Sequence, residues 1–160
     1  MVEKSLFTAY YYPTEDVPTK YIQGLREAYS AGRMSDHSTQ VGAVVGAAYG
    51  YNKSFDSQAP DVRIHAETSA IVKNAKLGVT LAGHTMYAPW AACGDCAMHI
   101  VEAGISRVVV HHERMQRTSD RWVDSVDQGL FILQQHGVRI QGVSMELGET
   151  VRIGGQEVTL

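Results

Sequence analysis

The chain has 160 residues, of which 44% are hydrophobic, and a formal net charge of -3 at pH 7. This size and apolar content suffice for one well-packed core, so we expect residues 1–160 to form a single domain, with an N-terminal arm over 1–18 and a hairpin within 141–160. The negative charge argues against the basic field of a polynucleotide-binding protein. No secretory signal and no run of ~20 apolar residues is present, which favours a cytoplasmic protein without a membrane span.

The first part of the chain predicts one helix and two strands. Apolar side chains recur near the helical period over residues 19–32, and Gly32 is a stop signal. Residues 40–48 are an apolar run typical of a buried strand, and a second strand is expected to end at residues 50–52. Residues 53–64 are rich in Ser, Asp and Gln and contain Pro60, so we expect a loop there.

Helices and strands alternate through the rest of the chain. Helices are predicted over residues 65–76, 94–103 and 122–135, strands over 85–88, 107–111 and 138–140, and a hairpin over 151–159 with Gly154-Gly155 at its turn. This alternation predicts a three-layer α/β/α sandwich, with helices on both faces of a mixed sheet. Right-handed crossovers would place the second and third helices side by side on one face.

Three potential metal ligands lie between residues 65 and 96. His65 is followed by Cys93 after 28 residues and then by Cys96, and the two cysteines are the only ones in the chain. One imidazole and two thiolates suit Zn²⁺, and three protein ligands leave one tetrahedral position open for water. The N-terminus of a helix at Gly94 would also favour thiolate over thiol.

Glu67 supplies the proton carrier that such a site needs for catalysis. His65 and Glu67 can share a site only at the tip of a helix, because residues two apart in mid-helix point ~200° apart. We therefore expect two helix N-termini to face each other across one zinc ion. A histidine, a glutamate two residues later and a Cys-x-x-Cys pair are the signature of zinc-dependent nucleobase deaminases. In that chemistry, zinc-activated hydroxide attacks C4 of cytosine and the glutamate delivers protons to N3 and to the leaving amine.

Other interpretations of the cluster remain open. A structural zinc site needs a fourth ligand, for which the candidates are His84, His99, His111 and His112. A Cys-x-x-Cys pair can also be redox-active. Neither alternative gives a reason for Glu67. A non-catalytic binding module stabilised by zinc is the alternative from another functional class.

Several further segments resemble the deoxycytidylate deaminase family in order and spacing. They are Arg33 to Ala43, Gly50-Tyr51-Asn52, His65-Ala66-Glu67, Met86-Tyr87, Cys93 to Ala97 and Glu102 to Ile105. The likeness covers roughly residues 19 to 140. It implies the cytidine deaminase fold, a five-stranded mixed sheet flanked by helices, and a homo-oligomer. It also implies hydrolysis of dCMP to dUMP and ammonia with one catalytic zinc ion per chain; the alternatives are a free nucleoside, another aminated base or a base within RNA.

The same resemblance implies roles for individual residues. His65, Cys93 and Cys96 correspond to the zinc ligands, and Glu67 to the proton shuttle. Asn52 corresponds to the residue that binds the sugar hydroxyl, although a turn asparagine after a strand is the alternative. The backbone of Ala66 corresponds to the contact with the pyrimidine carbonyl.

The chain departs from the family pattern next to the first cysteine. Ala92 occupies the position of the family's proline, and Pro89 lies four residues before Cys93. The loop over residues 89–92 borders the base pocket, so a 5-substituted dCMP is a candidate substrate. A neutral variation of the loop is the alternative.

Two further departures concern the phosphate and regulation. Lys53 stands where the family often has glycine, and it could meet a phosphate. The further cationic candidates are Arg33, Arg114, Arg117 and Arg121, and Trp122 could cover the site. The connection over residues 52–65 is shorter than in allosteric dCMP deaminases, which puts regulation by dCTP and dTTP in doubt.

Overall fold

The computed structural model describes residues 16–160, so most of the predicted N-terminal arm lies outside the described residues. In that part of the chain the helices are α1 (Thr19–Gly32), α2 (Ala66–Lys76), α3 (Gly94–Glu102), α4 (His112–Met115) and α5 (Asp120–Gln135). The strands are β1 (Gly42–Val45), β2 (Ala48–Tyr51), β3 (Lys53–Asp56), β4 (Ala59–Ile64), β5 (Thr85–Tyr87), β6 (Arg107–His111), β7 (Arg139–Val143), β8 (Thr150–Ile153) and β9 (Gln156–Thr159). None of the described helices is long and apolar enough to cross a membrane.

The central sheet has five strands in the order β2-β1-β5-β6-β7. β1 is antiparallel to both of its neighbours, whereas β5, β6 and β7 run parallel, with Thr85 opposite Arg107 and Arg107 opposite Arg139. The predicted five-stranded mixed sheet is therefore confirmed. Because β1 opposes β5, the loop before β1 and the loop after β5 leave the sheet at the same edge.

The side chains of β6 divide the core into two halves. Val108 and Val110 point into the larger half, which also contains Ile100 of α3 and Leu130 of α5. Val109 points the other way, into the cluster formed with α1 and the C-terminal segment. This alternation follows from the two-residue period of a strand. Helices therefore cover both faces of the sheet, as predicted.

Two of the predicted elements are wrong. Residues 40–48 are not one strand, because Gly46 adopts a φ of +57° and starts the turn between β1 and β2. Residues 53–64 are not a loop but the hairpin β3–β4, whose turn is held by a 2.8 Å bond from the Gln58 N–H to an Asp56 carboxylate oxygen. Phe55 and Val62 are largely exposed on this hairpin. Since the hairpin has no buried apolar face, it produces no hydrophobic alternation in the sequence.

The C-terminal hairpin β8–β9 braces the segment over residues 33–40. The backbone N–H of Gln40 donates to the Arg152 carbonyl at 2.9 Å, and the N–H of Gly155 donates to the Ser38 carbonyl at 2.8 Å. An Arg152 Nη2 group also donates to the Ser35 carbonyl at 3.0 Å. The hairpin turn uses Gly154 and Gly155 at positive φ, as predicted. Strands β8 and β9 therefore hold the loop over residues 33–40 in place.

Replacing Gly129 by alanine should destabilise the protein. Gly129 lies on α5, where an added Cβ would overlap the carbonyl oxygen of Ala92 in the loop before α3. In an exposed helix this change is stabilising, but here we expect overpacking to lower the free energy of unfolding by ~1–3 kcal/mol. Urea unfolding followed by circular dichroism measures the difference. Phe131→Ala, at an exposed position of the same helix, is the control and should cost less.

Candidate metal centre and catalytic cavity

Two helix N-termini form the centre of the site. His65 is the residue before α2 and Cys93 the residue before α3, and both have extended backbone conformations. Neither side chain makes a capping hydrogen bond to its own helix. Both side chains are therefore free to turn toward each other, and Cys96 joins them from the first turn of α3.

The three potential ligand atoms have the spacing of a metal site. Nδ1 of His65 lies 3.4 Å from Sγ of Cys93 and 3.4 Å from Sγ of Cys96. All three atoms lie within 4.8 Å of one another. A tetrahedral Zn²⁺ ion with ordinary bond lengths would hold nitrogen and sulfur about 3.5 Å apart. The donor set and its spacing therefore fit zinc.

The histidines considered as a fourth ligand are placed elsewhere. Within residues 16–160, no further His, Cys, Asp or Glu joins the cluster of three. His99 has its Nδ1 2.8 Å from the hydroxyl of Thr68, which lies 3.5 Å from Sγ of Cys96. His111 is fully buried and accepts a 2.6 Å hydrogen bond from Tyr29. The described cluster therefore has the three ligands of an open site.

The electrostatics of the cluster follow from its burial and its hydrogen bonds. Burial raises the pKa of Glu67, whose side chain is only 4% exposed. A hydrogen bond from the Cys96 thiol lowers the pKa of Cys93, and the interaction with Cys93 raises the pKa of His65. One thiolate is therefore favoured before any metal binds, beside a carboxyl group that retains its proton more readily than an exposed glutamate.

The cluster opens into a cavity of about 190 Å³. The lining residues come from loops, from strand β4 and from helices α2 and α5: His37, Ser38, Thr39, Val41, Asn52, Arg63, His65, Ala66, Glu67, Trp90, Ala91, Cys93, Arg121, Trp122 and Val126. Among these described residues, Glu67 supplies the one carboxylate, whereas two arginines contribute positive charge. The cavity therefore contains two cationic side chains in a chain whose net charge is negative.

Asn52 lines the cavity and also holds its wall. Its side-chain oxygen accepts a hydrogen bond from the Val41 N–H at 2.9 Å, and its Nδ2 donates to the Thr39 carbonyl at 2.8 Å. An amide oxygen has two lone pairs and an amide nitrogen has two hydrogens, so each atom keeps one further bond for a ligand. Asn52 thus braces the loop before β1 rather than a turn of its own, and the sugar contact stays a prediction.

The structure does not bring Arg33 or Lys53 into the cavity. Arg33 forms an ion pair with Glu149 at 2.8 Å, and Lys53 lies over the ring of Tyr51 at 5.3 Å. Neither is among the lining residues, and neither is Arg114 or Arg117. Of the cationic side chains proposed for a phosphate, only Arg121 reaches the cavity.

Sequence reasoning missed Arg63 and His37 as cavity residues. Arg63 lies on β4 two residues before His65, so strand alternation directs both side chains to one side. This alternation was not recognised because residues 53–64 were predicted to form a loop. His37 has a buried Nε2 without a hydrogen-bond partner among the described residues, and nothing in its local sequence indicated this position.

Two tryptophans form one wall of the cavity. Trp90 and Trp122 meet edge to face, with ring centroids 6.1 Å apart. The indole N–H of Trp90 donates to the hydroxyl of Thr118 at 2.9 Å, and the Arg121 guanidinium lies 5.4 Å from the Trp122 ring centroid. Ala92, the departure from the family pattern, is fully buried and does not line the cavity.

Residues 18–112 match the family model described as the cytidine and deoxycytidylate deaminase zinc-binding region. The matched segment contains all three members of the metal cluster and Glu67.

Proteins similar to this chain include deoxycytidylate deaminases of bacteriophages. The deoxycytidylate deaminase of Enterobacteria phage T2 is 34% identical over 80 residues, which are 50% of this chain and 38% of that relative's length. The crystal structure of dCMP deaminase from the cyanophage S-TIM5 in apo form superimposes with a TM-score of 0.63 at 24% identity, covering 79% of this chain and 99% of that one. The structure of the same cyanophage enzyme with dCMP and dUMP gives 0.59 at 22% identity, covering 82% and 99%. At these identities the structural likeness shows the cytidine deaminase fold.

Replacing Cys96 by alanine should remove the metal site while His84→Ala should not. Cys96 supplies one of three clustered donors, and two remaining protein ligands hold zinc much more weakly than three. We expect the wild type and His84→Ala to retain about one zinc ion per chain and Cys96→Ala to retain little. Competition with a colorimetric chelator measures this difference. Equal zinc retention by Cys96→Ala would contradict the assignment of the cluster.

Proposed function

The chain belongs to the cytidine and deoxycytidylate deaminase family, and on that premise we propose that it hydrolyses dCMP to dUMP and ammonia. The observation that carries the proposal is the three-donor cluster, which opens into a cavity lined by two arginines beside the buried Glu67. The relative described as bound to dCMP and dUMP supports the choice of nucleotide. The chain spans 38% of the phage T2 relative's length. We therefore base the proposed activity on the geometry of the site and not on that relative.

His65, Cys93 and Cys96 would hold the zinc ion. Zinc bound by three protein ligands supplies an activated water at neutral pH. Glu67 is the group in this chain that would move protons. Its carboxylate takes the first proton from the water and delivers it to ring N3. It then takes the second proton, from the new hydroxyl on C4, and delivers it to the amine, which leaves as ammonia. Burial raises the pKa of Glu67, so this carboxyl group takes up a proton more readily than an exposed glutamate does.

Backbone and amide groups would orient the base and the sugar. The N–H of Ala66 lies in the first turn of α2, where backbone donors have no partner within the helix. It can therefore donate to the pyrimidine carbonyl. Asn52 retains one free donor and one free lone pair for the sugar hydroxyl, while its other two bonds keep its amide group fixed.

The cationic side of the cavity would take the phosphate. Arg63 reaches the cavity from β4, and Arg121 reaches it from the start of α5. Both side chains are exposed, so they can meet a phosphate without a large loss of hydration. His37 adds a ring nitrogen without a partner in the described chain. These three residues replace Arg33 and Lys53 in the proposed phosphate site.

A 5-substituted dCMP is the second candidate substrate. Ala91 lines the cavity with a methyl group, beside Trp90 on the same loop. A small side chain at this wall leaves space for a substituent on the ring, whereas the buried Ala92 contributes none of that space.

Exchanging Glu67 for glutamine should abolish turnover without releasing zinc. The amide has the shape of the carboxyl group but cannot carry a proton between water and substrate, so we expect a loss of ~10²–10⁴ in rate or more. Ammonia release from dCMP and zinc content are measured on the same preparation. Full activity in the zinc-loaded variant would favour a binding module over an enzyme.

Removing the proposed phosphate contacts should change the choice of substrate. We expect Arg63→Gln and Arg121→Gln to raise KM for dCMP by about tenfold or more each, because each removes a charge-assisted hydrogen bond, and to leave KM for deoxycytidine nearly unchanged. Ammonia release is measured with deoxycytidine, dCMP and 5-methyl-dCMP. Lys53→Gln, at a cation outside the cavity, is the matched control. Faster turnover of deoxycytidine than of dCMP by the wild type would reject the monophosphate as substrate.

A further inference from the structure

Arg114 is buried directly behind a wall of the catalytic cavity. It belongs to the short helix α4 and is only 2% exposed. Its guanidinium carbon lies 4.3 Å from the ring centroid of Trp90. Trp90 lines the cavity and Arg114 does not, so the indole ring separates the charge from the substrate site.

Arg114 has no anionic partner in the described chain. Its Nη1 and Nη2 are buried and make no hydrogen bond to residues 16–160, and neither of the two ion pairs found there includes it. Burial lowers its pKa to about 10, which still leaves the group charged at neutral pH. An unpaired buried charge costs stability, and exchanging buried ionic groups for well-packed apolar ones is often neutral or stabilising. Folding alone therefore gives no reason for an arginine here.

Residues that follow Arg114 in the sequence hold the loop over residues 89–92, which carries Trp90. Thr118 accepts the indole N–H of Trp90 at 2.9 Å and donates to the Met115 carbonyl at 2.7 Å. The Met115 sulfur accepts the N–H of Ala91 at 3.2 Å. Residues 114–118 therefore contact both cavity-lining residues of the loop over 89–92 from behind.

We propose that Arg114 is a positioning residue, whose guanidinium fixes the indole ring of Trp90 as a rigid wall for the bound base. A cation over an indole face is attracted more strongly when it is desolvated, as the buried Arg114 is here. Burying the charge lowers the stability of the fold. In return, the Trp90 side chain is already fixed before the substrate binds, so less conformational entropy is lost on binding. This inference rests on the proposed deaminase function, because the base is the group that Trp90 would contact.

Arg114→Met tests the proposal, since methionine keeps much of the volume and removes the charge. We expect KM for dCMP to rise about fivefold to tenfold with kcat changed less than about twofold, and the urea midpoint of unfolding to stay equal or rise. Arg114→Lys keeps the charge without the planar group and should give an intermediate KM. In a Trp122→Phe background, Trp90 is the single tryptophan, and its emission anisotropy should fall in Arg114→Met because the ring gains freedom.

Arg107→Met is the matched control. Arg107 lies 6.0 Å from the ring centroid of Tyr21 and donates to its hydroxyl at 2.8 Å, at the opposite end of β6 from the cavity. This variant should lower the midpoint of unfolding and leave KM unchanged.

Two results would overturn the proposal. An unchanged KM together with a lowered midpoint in Arg114→Met would make Arg114 a structural residue only, and an unchanged anisotropy of Trp90 would show that the ring is fixed by other contacts. If Arg114→Met does not fold, an Arg114→Lys variant with wild-type KM and anisotropy rejects the proposal. If the wild type does not turn over dCMP, the proposed function fails, while the anisotropy still decides whether Arg114 fixes the ring.

Discussion

The structure depends on bringing two helix N-termini together at one edge of the sheet. A tetrahedral metal site tolerates only small errors in ligand position, and its donors come from α2 and α3, which the sequence separates by β5 and its flanking loops. Close packing makes this possible. Gly50 lets β2 approach the carbonyl of Ala66, and Gly129 lets α5 approach the carbonyl of Ala92, each where a Cβ would overlap backbone. The two glycines thus allow neighbouring elements to pack closely against each of the two helix tips.

The loop before β1, which lines part of the cavity, is held by polar bonds. Asn52 fixes the loop before β1 through two backbone groups, and the C-terminal hairpin holds the same loop from the other side through Gln40 and Arg152. The hairpin lies beyond the segment that matches the family model. The segment that matches the family model is therefore braced by a hairpin that lies outside the match.

The sequence predicted those features that depend on residue spacing and on where helices begin. The spacing of His65, Cys93 and Cys96 was enough to predict the metal cluster and the two helix tips. It could not predict that Arg33 pairs with Glu149, 116 residues later, because no local pattern encodes such a contact. Arg63 was missed for a different reason. Its exposed hairpin lacks the apolar alternation by which strands are recognised. Because no strand was predicted there, nothing in the sequence indicated that the side chains of Arg63 and His65 lie on the same side.

The C-terminal hairpin also sets the order in which the site can form. During synthesis, residues 65–96 leave the ribosome well before Arg152, whose bonds to the segment over 33–40 span more than a hundred residues. Contacts over such separations form late, because they require the closure of a long loop. A nascent chain can thus assemble the donors of the metal cluster before the wall over residues 35–40 is braced.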